Sequence, residues 1–293
     1  MDQVSTDWRA ATGRLDGAYS PNTLRAYRAD FELFERWCLA NAKVPLPASS
    51  ASVAEFISSR APFDASTTLK RRLSGVRKIH RLLKLPNPVD DEDVAICLRR
   101  ALRQKRRRPK QALGLTNQIL LKMLDACDDS LAGLRNRALL LVGYDTLCRR
   151  SELVALCLED LRRTSDGGAQ ILIRRSKTDP FGDGRIGRIS AQGLRALNQW
   201  HEASDIQAGP MFRRINGSSV GADFLHPYTI NRIIKSLAHR AGYTEDVASD
   251  LSGHSLRVGA AQDLMSGGRD VLAIMKAGGW RSINVVARYI EAA

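Results

Sequence analysis

The stretch Ser252-Gly-His-Ser-Leu-Arg-Val-Gly-Ala-Ala261 reads as the opening of a helix over 255–266, and His254 and Arg257, three apart, share one face of it. Downstream, Trp280 follows Ala277-Gly-Gly, and Tyr289 falls nine residues later on a helix over 283–292. Upstream, Arg149-Arg150-Ser151-Glu152 opens another helix straight after the apolar run over 139–147. Two arginines at a buried helix start are costly unless they meet an anion. Lys177 stands at the end of a strand in Arg174-Arg-Ser-Lys-Thr178, where a hairpin carries it over a ligand.

Each residue alone has a plainer reading. Arg150 can simply be exposed, a lone histidine on a helix is usually structural, and Trp280 or Tyr289 can be core aromatics. Together they describe one chemistry. Two arginines and a lysine can neutralise a phosphodiester and the charge that grows on it during substitution. A histidine and an indole N–H can hydrogen-bond its oxygens, and a tyrosine can attack phosphorus, storing the broken linkage as an ester. No carboxylate cluster of the kind a metal-dependent nuclease needs is visible, so neither a metal nor a cofactor is expected.

The rest of the chain reads as helices with little strand. Ser20-Pro21 is a cap and first-turn pair for a helix through Trp37. Further helices are expected over 52–60, from 66 or 67 to 84, and over 90–106. The basic run Gln104-Lys-Arg-Arg-Arg-Pro-Lys110 then reads as a linker along a phosphate backbone, although in isolation it equals a solvated charge run. Thr116 is expected to cap a helix to about 127, followed by a buried helix over 131–144. Strands over 170–175 and 185–190 flank a Gly-rich turn, and helices over 191–203, 227–241 and 271–277 complete the pattern. The expected architecture is mainly α with a small β-hairpin or sheet, in two domains: a helical DNA-binding domain over 1–104, a linker over 105–112 and a catalytic domain over 113–293.

Composition narrows the partner. The 293 residues are 44% hydrophobic and 26% charged, ordinary for a chain with a sizeable core, but 45 Lys+Arg against 31 Asp+Glu leave a net charge of +14. The first 112 residues hold 22 of those bases and only 12 of the acids, which points that half toward a polyanion. Neither a membrane-spanning run nor a signal peptide is visible, and five cysteines without a CxxC pair fit reduced thiols, so a cytoplasmic, nucleoid-associated protein is expected. Lys70, Arg71, Arg77 and Arg81 on one helix, Lys105, Arg106, Arg107 and Arg108 in the linker, and Thr229, Asn231 and Arg232 on another helix are the candidate DNA contacts. Two formal motif matches are set aside. Gly182-Asp-Gly184-Arg-Ile-Gly187 runs into strand-like sequence instead of a helix, and Gly217-Ser-Ser219-Val-Gly221 reads as a polar loop.

The order Arg149, Lys177, His254-x-x-Arg257, Trp280, Tyr289 resembles the tyrosine recombinase (phage integrase) family. The Cre-type branch is the nearer match, through Ser252–Ala261 and Ala277–Ile290, with weaker similarity running back over most of the chain. The resemblance implies a site-specific DNA recombinase in which Tyr289 forms a 3′-phosphotyrosyl bond and frees a 5′-hydroxyl. Arg149 and Arg257 would clamp the phosphate, Lys177 would protonate the leaving oxygen and His254 would assist proton transfer. Trp280 would stand where many members carry histidine, and Glu152 would buttress the site. It further implies clamping of double-stranded DNA with inverted-repeat sites by a homo-tetramer assembled from monomers. Such proteins usually continue with another helix after the tyrosine, whereas four residues follow Tyr289 here. Cleavage is expected to survive this, with subunit coupling through other contacts or a further tail. Three rivals are a monomeric type IB topoisomerase-like enzyme, a catalytically silent DNA-binding regulator and a nucleic-acid hydrolase. The helical first domain argues against the first. The complete catalytic set argues against the second, and a hydrolase would accumulate no protein adduct.

Overall fold

The computed structural model describes residues 7–105, 111–174 and 184–291. The chain separates into two compact units, Met1–Pro109 and Lys110–Ala293. Among the described residues no helix is long and apolar enough to cross a membrane.

The first unit contains α1 (Trp8–Thr12), α2 (Pro21–Ala40), α3 (Ser50–Arg60), α4 (Ser66–Leu82) and α5 (Glu92–Arg103). Helix α2 starts as its sequence predicts: Ser20 Oγ accepts from the Thr23 amide at 3.2 Å, and Pro21 occupies the first turn. The apolar stripes of α2 and α4 face each other, so Phe31, Phe34, Leu73, Val76 and Ile79 share one core with Trp8, Phe56 and Val94. Asp30, 1% exposed, sits in that contact and meets Arg71 at 2.9 Å and Arg72 at 3.5 Å. Helix α1 is too short for its period to show in the sequence; its five residues are held by an Asp7 cap and by Trp8 Nε1 donating to Glu35 at 2.9 Å.

The second unit runs α6 (Asn117–Asp125), α7 (Leu131–Thr146), α8 (Arg150–Val154), β1 (Leu161–Arg163), β2 (Ala169–Ile173), β3 (Arg185–Ile189) and α9 (Ala191–Ser204). It continues with β4 (Arg213–Asn216), β5 (Ser219–Phe224), α10 (Pro227–Arg240), α11 (Glu245–Asp250), α12 (Gly253–Ser266), α13 (Val271–Gly278) and α14 (Ile283–Ile290). Strands β1, β2 and β3 form an antiparallel sheet in that order, with Leu161 opposite Ile171 and Ala169 opposite Ile189. Alternation turns Ala169, Ile171 and Ile173 inward, onto a core that includes the apolar run of helix α7 (Leu139, Leu140, Leu141, Val142). A smaller cluster of Leu147, Ala260, Ala261, Ile274, Trp280 and Val286 joins α12 to α13 and α14.

Two expectations are corrected, and one helix for which none was drawn is added. The polar loop at Gly217–Gly221 is a hairpin: β4 and β5 pair across a turn at Gly217 (φ +62°), and their largely exposed faces hide the strand pattern. Thr116 precedes α6 but makes no side-chain cap; the carboxylate of Asp263, distant in sequence, takes the Asn117 amide at 2.6 Å. The acidic segment at α11 folds as a short helix of its own, which its six residues were too few to announce.

Helix α12 carries His254 and Arg257, and its position is set by a close backbone approach. A β-carbon at Gly259 would lie 2.0 Å from the Leu115 carbonyl oxygen, and the Leu115 amide donates to the Ser255 carbonyl at 2.8 Å. Substitution must push two main chains apart. Gly259→Ala should therefore cost about 2–3 kcal/mol, read as a fall of several degrees in thermal unfolding.

Candidate active site

Helix α7 ends on Leu147 in the left-handed region (φ 51°), which reverses the chain into Cys148 and Arg149. Arg149 caps α8. Its amide donates to Glu152 Oε2 at 3.0 Å and its guanidinium to Glu152 Oε1 at 2.6 Å, so Glu152, 4% exposed, is an anion that half-buried Arg149 meets, while Arg150, also half-buried, lies over the Tyr228 ring at 4.7 Å. The other side of that carboxylate faces Arg185 Nη2 at 3.4 Å. Arg185 was not among the sequence candidates. A basic residue sharing the inward phase of β3 with Gly187 and Ile189 was the available signal.

Arg257, 1% exposed, donates from Nη1 to the Leu147 carbonyl at 2.5 Å and lies 3.9 Å from the Trp280 ring centre. Its Nη2 is buried without a hydrogen-bond partner among the described residues. Burial, then the charge of Arg149, holds the Arg257 guanidinium down to about 10, so it remains cationic at neutral pH. His254 opens to solvent on one side, but crowding by the site, followed by the charges of Arg257 and Arg149, keeps its imidazole below the usual histidine range. Its Nε2 is 3.1 Å from the Tyr289 hydroxyl.

Tyr289 is half-buried and packs edge-on to His254 (5.3 Å between ring centres) and tilted against Trp280 (5.7 Å). The Ala277-Gly-Gly-Trp280 sequence has a steric reason. A β-carbon at Gly278 would lie 2.1 Å from the indole, and Gly279 (φ +65°) ends α13 so that Trp280 folds back beneath it. Gln262, also unforeseen, donates from Nε2 to the Tyr289 carbonyl at 3.1 Å and thereby anchors α14 to α12.

Thus Arg149, Glu152, His254, Arg257, Trp280 and Tyr289 form one connected site, while Lys177 lies outside the described residues, as do Arg106, Arg107 and Arg108 of the basic run. Lys105 is half-buried just after α5. On α4, Lys70 is exposed, Arg71 pairs with Asp30, and Arg77 and Arg81 both reach Asp90, at 3.2 and 3.3 Å. Thr229 and Arg232 line an open groove of about 800 Å³ with Arg135 and Arg214, whereas Asn231 turns toward α12 and accepts the Gly253 amide at 2.9 Å.

The buried guanidinium of Arg257, the half-buried one of Arg149, an imidazole held below its usual range and a tyrosine hydroxyl on one scaffold suit transfer of a phosphoryl group to a tyrosine oxygen. Residues 114–293 match the phage integrase family, and residues 14–86 match the N-terminal SAM-like domain of phage integrases. An integrase/recombinase xerD homolog from Selenomonas ruminantium is 30% identical over 96% of this chain and 84% of its own. Recombinase cre of Escherichia phage P1 is 29% identical over 94% of this chain and 85% of its own. In fold, the Tn1549 transposon integrase in complex with transposon right end DNA superposes with a TM-score of 0.69 at 15% identity, covering 98% of this chain and 95% of that one. A lambda integrase dimer bound to a COC′ core site gives 0.67 at 15% identity, over 99% and 96%. The chain belongs to the phage integrase family, the tyrosine recombinases.

Glu152 is a buried carboxylate that two half-buried arginines, Arg149 and Arg185, share, so removing it leaves their charge less compensated. Glu152→Ala should destabilise the protein by about 3 kcal/mol, measured by denaturant unfolding, and Glu152→Gln by less because the Arg149 amide keeps an acceptor.

Proposed function

We propose that this protein is a site-specific DNA recombinase that breaks and rejoins strands through a 3′-phosphotyrosyl bond to Tyr289. The observation that carries the reading is the Tyr289 hydroxyl held 3.1 Å from a His254 imidazole, on a ring that packs against Trp280, itself stacked on Arg257. The buried Nη2 of Arg257, without a partner among the described residues, supports the reading as a donor that a phosphodiester oxygen would satisfy.

In the proposed step the Tyr289 oxygen attacks phosphorus. The phenolic proton leaves toward His254, which is neutral and able to accept it. The Oη–P bond forms as the bond to the 5′ oxygen breaks, and Lys177 is assigned the proton for that leaving oxygen. Arg149 and Arg257 balance the extra negative charge of the pentavalent transition state, and the Trp280 indole N–H is assigned a further phosphate oxygen. The linkage energy is kept in the ester, so a 5′-hydroxyl from another strand reverses the step without nucleotide or metal.

The partner in this reading is double-stranded DNA with inverted-repeat sites, bound by a homo-tetramer. The net charge of +14, the DNA complexes named for the two integrases of like fold and the recombinase names of the relatives support it. Lys70, Arg71, Arg77, Arg81, Thr229, Arg232 and the basic run over 105–108 are the proposed contacts, chiefly to phosphates.

The direct test is an SDS-resistant adduct assay on a pool of nicked duplexes. Wild type should form a covalent protein–DNA species, and Tyr289→Phe should form none while retaining affinity for the pool. An adduct of normal yield with Tyr289→Phe would falsify the nucleophile assignment. Because His254 is depressed below its usual range near 6.5, it stays neutral through neutral pH and is protonated only in acid. Adduct formation should therefore hold from about pH 8 down to that usual value and fall below it, and a profile that rises in acid contradicts the role of His254 as acceptor. Affinity for the pool should drop steeply with added salt, since phosphate contacts release counterions.

A further inference from the structure

We propose that Arg185 is a positioning residue for strand cleavage: its guanidinium ties Glu152, and through it Arg149, to the carbonyl ends of the two helices that lead into Arg149 and into Trp280 and Tyr289. This rests on the function proposed above.

The side chain of Arg185 is 13% exposed and springs from the first residue of β3, on the inward face of the sheet. Nη1 donates to two carbonyls at once, Thr146 at 2.9 Å and Ala277 at 2.7 Å. Thr146 is the last residue of α7, and Ala277 lies in the final turn of α13. Both are helix C-termini, whose outward carbonyls carry partial negative charge and favour a cation. Nη2 meets Glu152 Oε2 at 3.4 Å and the Cys148 sulfur at 3.8 Å. The aliphatic stem packs under Gly279, where a β-carbon would lie 3.0 Å from Arg185 Cδ.

The fork therefore does two things. It joins α13, which carries the chain into Trp280 and on to Tyr289, to the end of α7 and the start of α8, where Arg149 sits. It also shares the charge of Glu152. With Arg185 in place the carboxylate is divided between two cations. Without it, the whole charge falls on Arg149 and draws that guanidinium away from a phosphate. A lysine has one nitrogen and cannot span two carbonyls and a carboxylate with a planar fork.

Two measurements on the full chain test this. The first is hydrogen–deuterium exchange without DNA. Arg185→Met should speed exchange over 271–290 while α9 stays protected, and unchanged exchange over 271–290 overturns the tie. The second is the rate of adduct formation on the nicked-duplex pool. Arg185→Met should slow it by about 10- to 100-fold, the effect of an ångström-scale misplacement, with affinity for the pool changed by less than about twofold. Adding Glu152→Gln to that variant should recover part of the rate, because Arg149 is no longer held by an unshared carboxylate. A role in stability alone moves the unfolding midpoint without that recovery. Wild-type rates for Arg185→Met, or a loss that Glu152→Gln deepens, overturn the proposal. Should Arg185→Met fail to fold, Arg185→Lys carries both tests, with intermediate exchange and rate expected. If the wild type itself forms no adduct, the proposed function fails, whereas the exchange experiment still decides whether Arg185 holds the two segments together.

Discussion

A guanidinium sealed from water has to be balanced, and Arg257 is balanced incompletely. It is 1% exposed, held by one carbonyl and one indole face, and it leaves a buried N–H group with no acceptor among the described residues. Burying a charge under such terms costs several kcal/mol unless an anion arrives. Glu152 is the nearby carboxylate, and it is already engaged by Arg149 and Arg185. Among the described residues the site thus carries more positive than negative charge, an imbalance that the proposed phosphodiester substrate would offset. Arg257 is fixed by α12, most of whose first three turns are buried against the cores of this unit.

Helix ends do most of the positioning. Helix α7 delivers two carbonyls in succession, Thr146 to Arg185 and Leu147 to Arg257, and α13 delivers a third, Ala277, again to Arg185. Each is a group that a helix C-terminus leaves without an intrahelical donor. Pairing them with guanidiniums satisfies the backbone and spaces the cations in one stroke. The left-handed residues Leu147 and Gly279 make it possible by turning the chain sharply at both ends. His254 and Tyr289 then meet across α12 and α14, with Gln262 fixing the α14 main chain.

Much of this was legible in the sequence. Strong 3.6-residue periodicity marks α2 and α4, and the spacing of His254 and Arg257 places them on a shared face. Their company with Arg149, Trp280 and Tyr289 pointed to phosphate chemistry. What was hidden depended on partners far away in the chain. Asp263 replaces Thr116 as the cap of α6 across the fold, and the use of Asn231 is decided by Gly253. Arg185 looked like one more base in a strand, because its three oxygen partners come from three separate elements. Strand β5 was missed for a different reason: with both faces largely exposed it has no apolar alternation to read.

The central claim is that Tyr289 becomes covalently attached to phosphorus, and the most direct measurement is peptide mapping by mass spectrometry. Protein incubated with the nicked-duplex pool would be quenched in SDS, treated with nuclease and protease, and searched for peptides bearing nucleotide. The account predicts a nucleotide mass on the peptide containing Tyr289, located on the tyrosine itself. Nucleotide attached to any other side chain, or released DNA ends with every peptide unmodified, would contradict it.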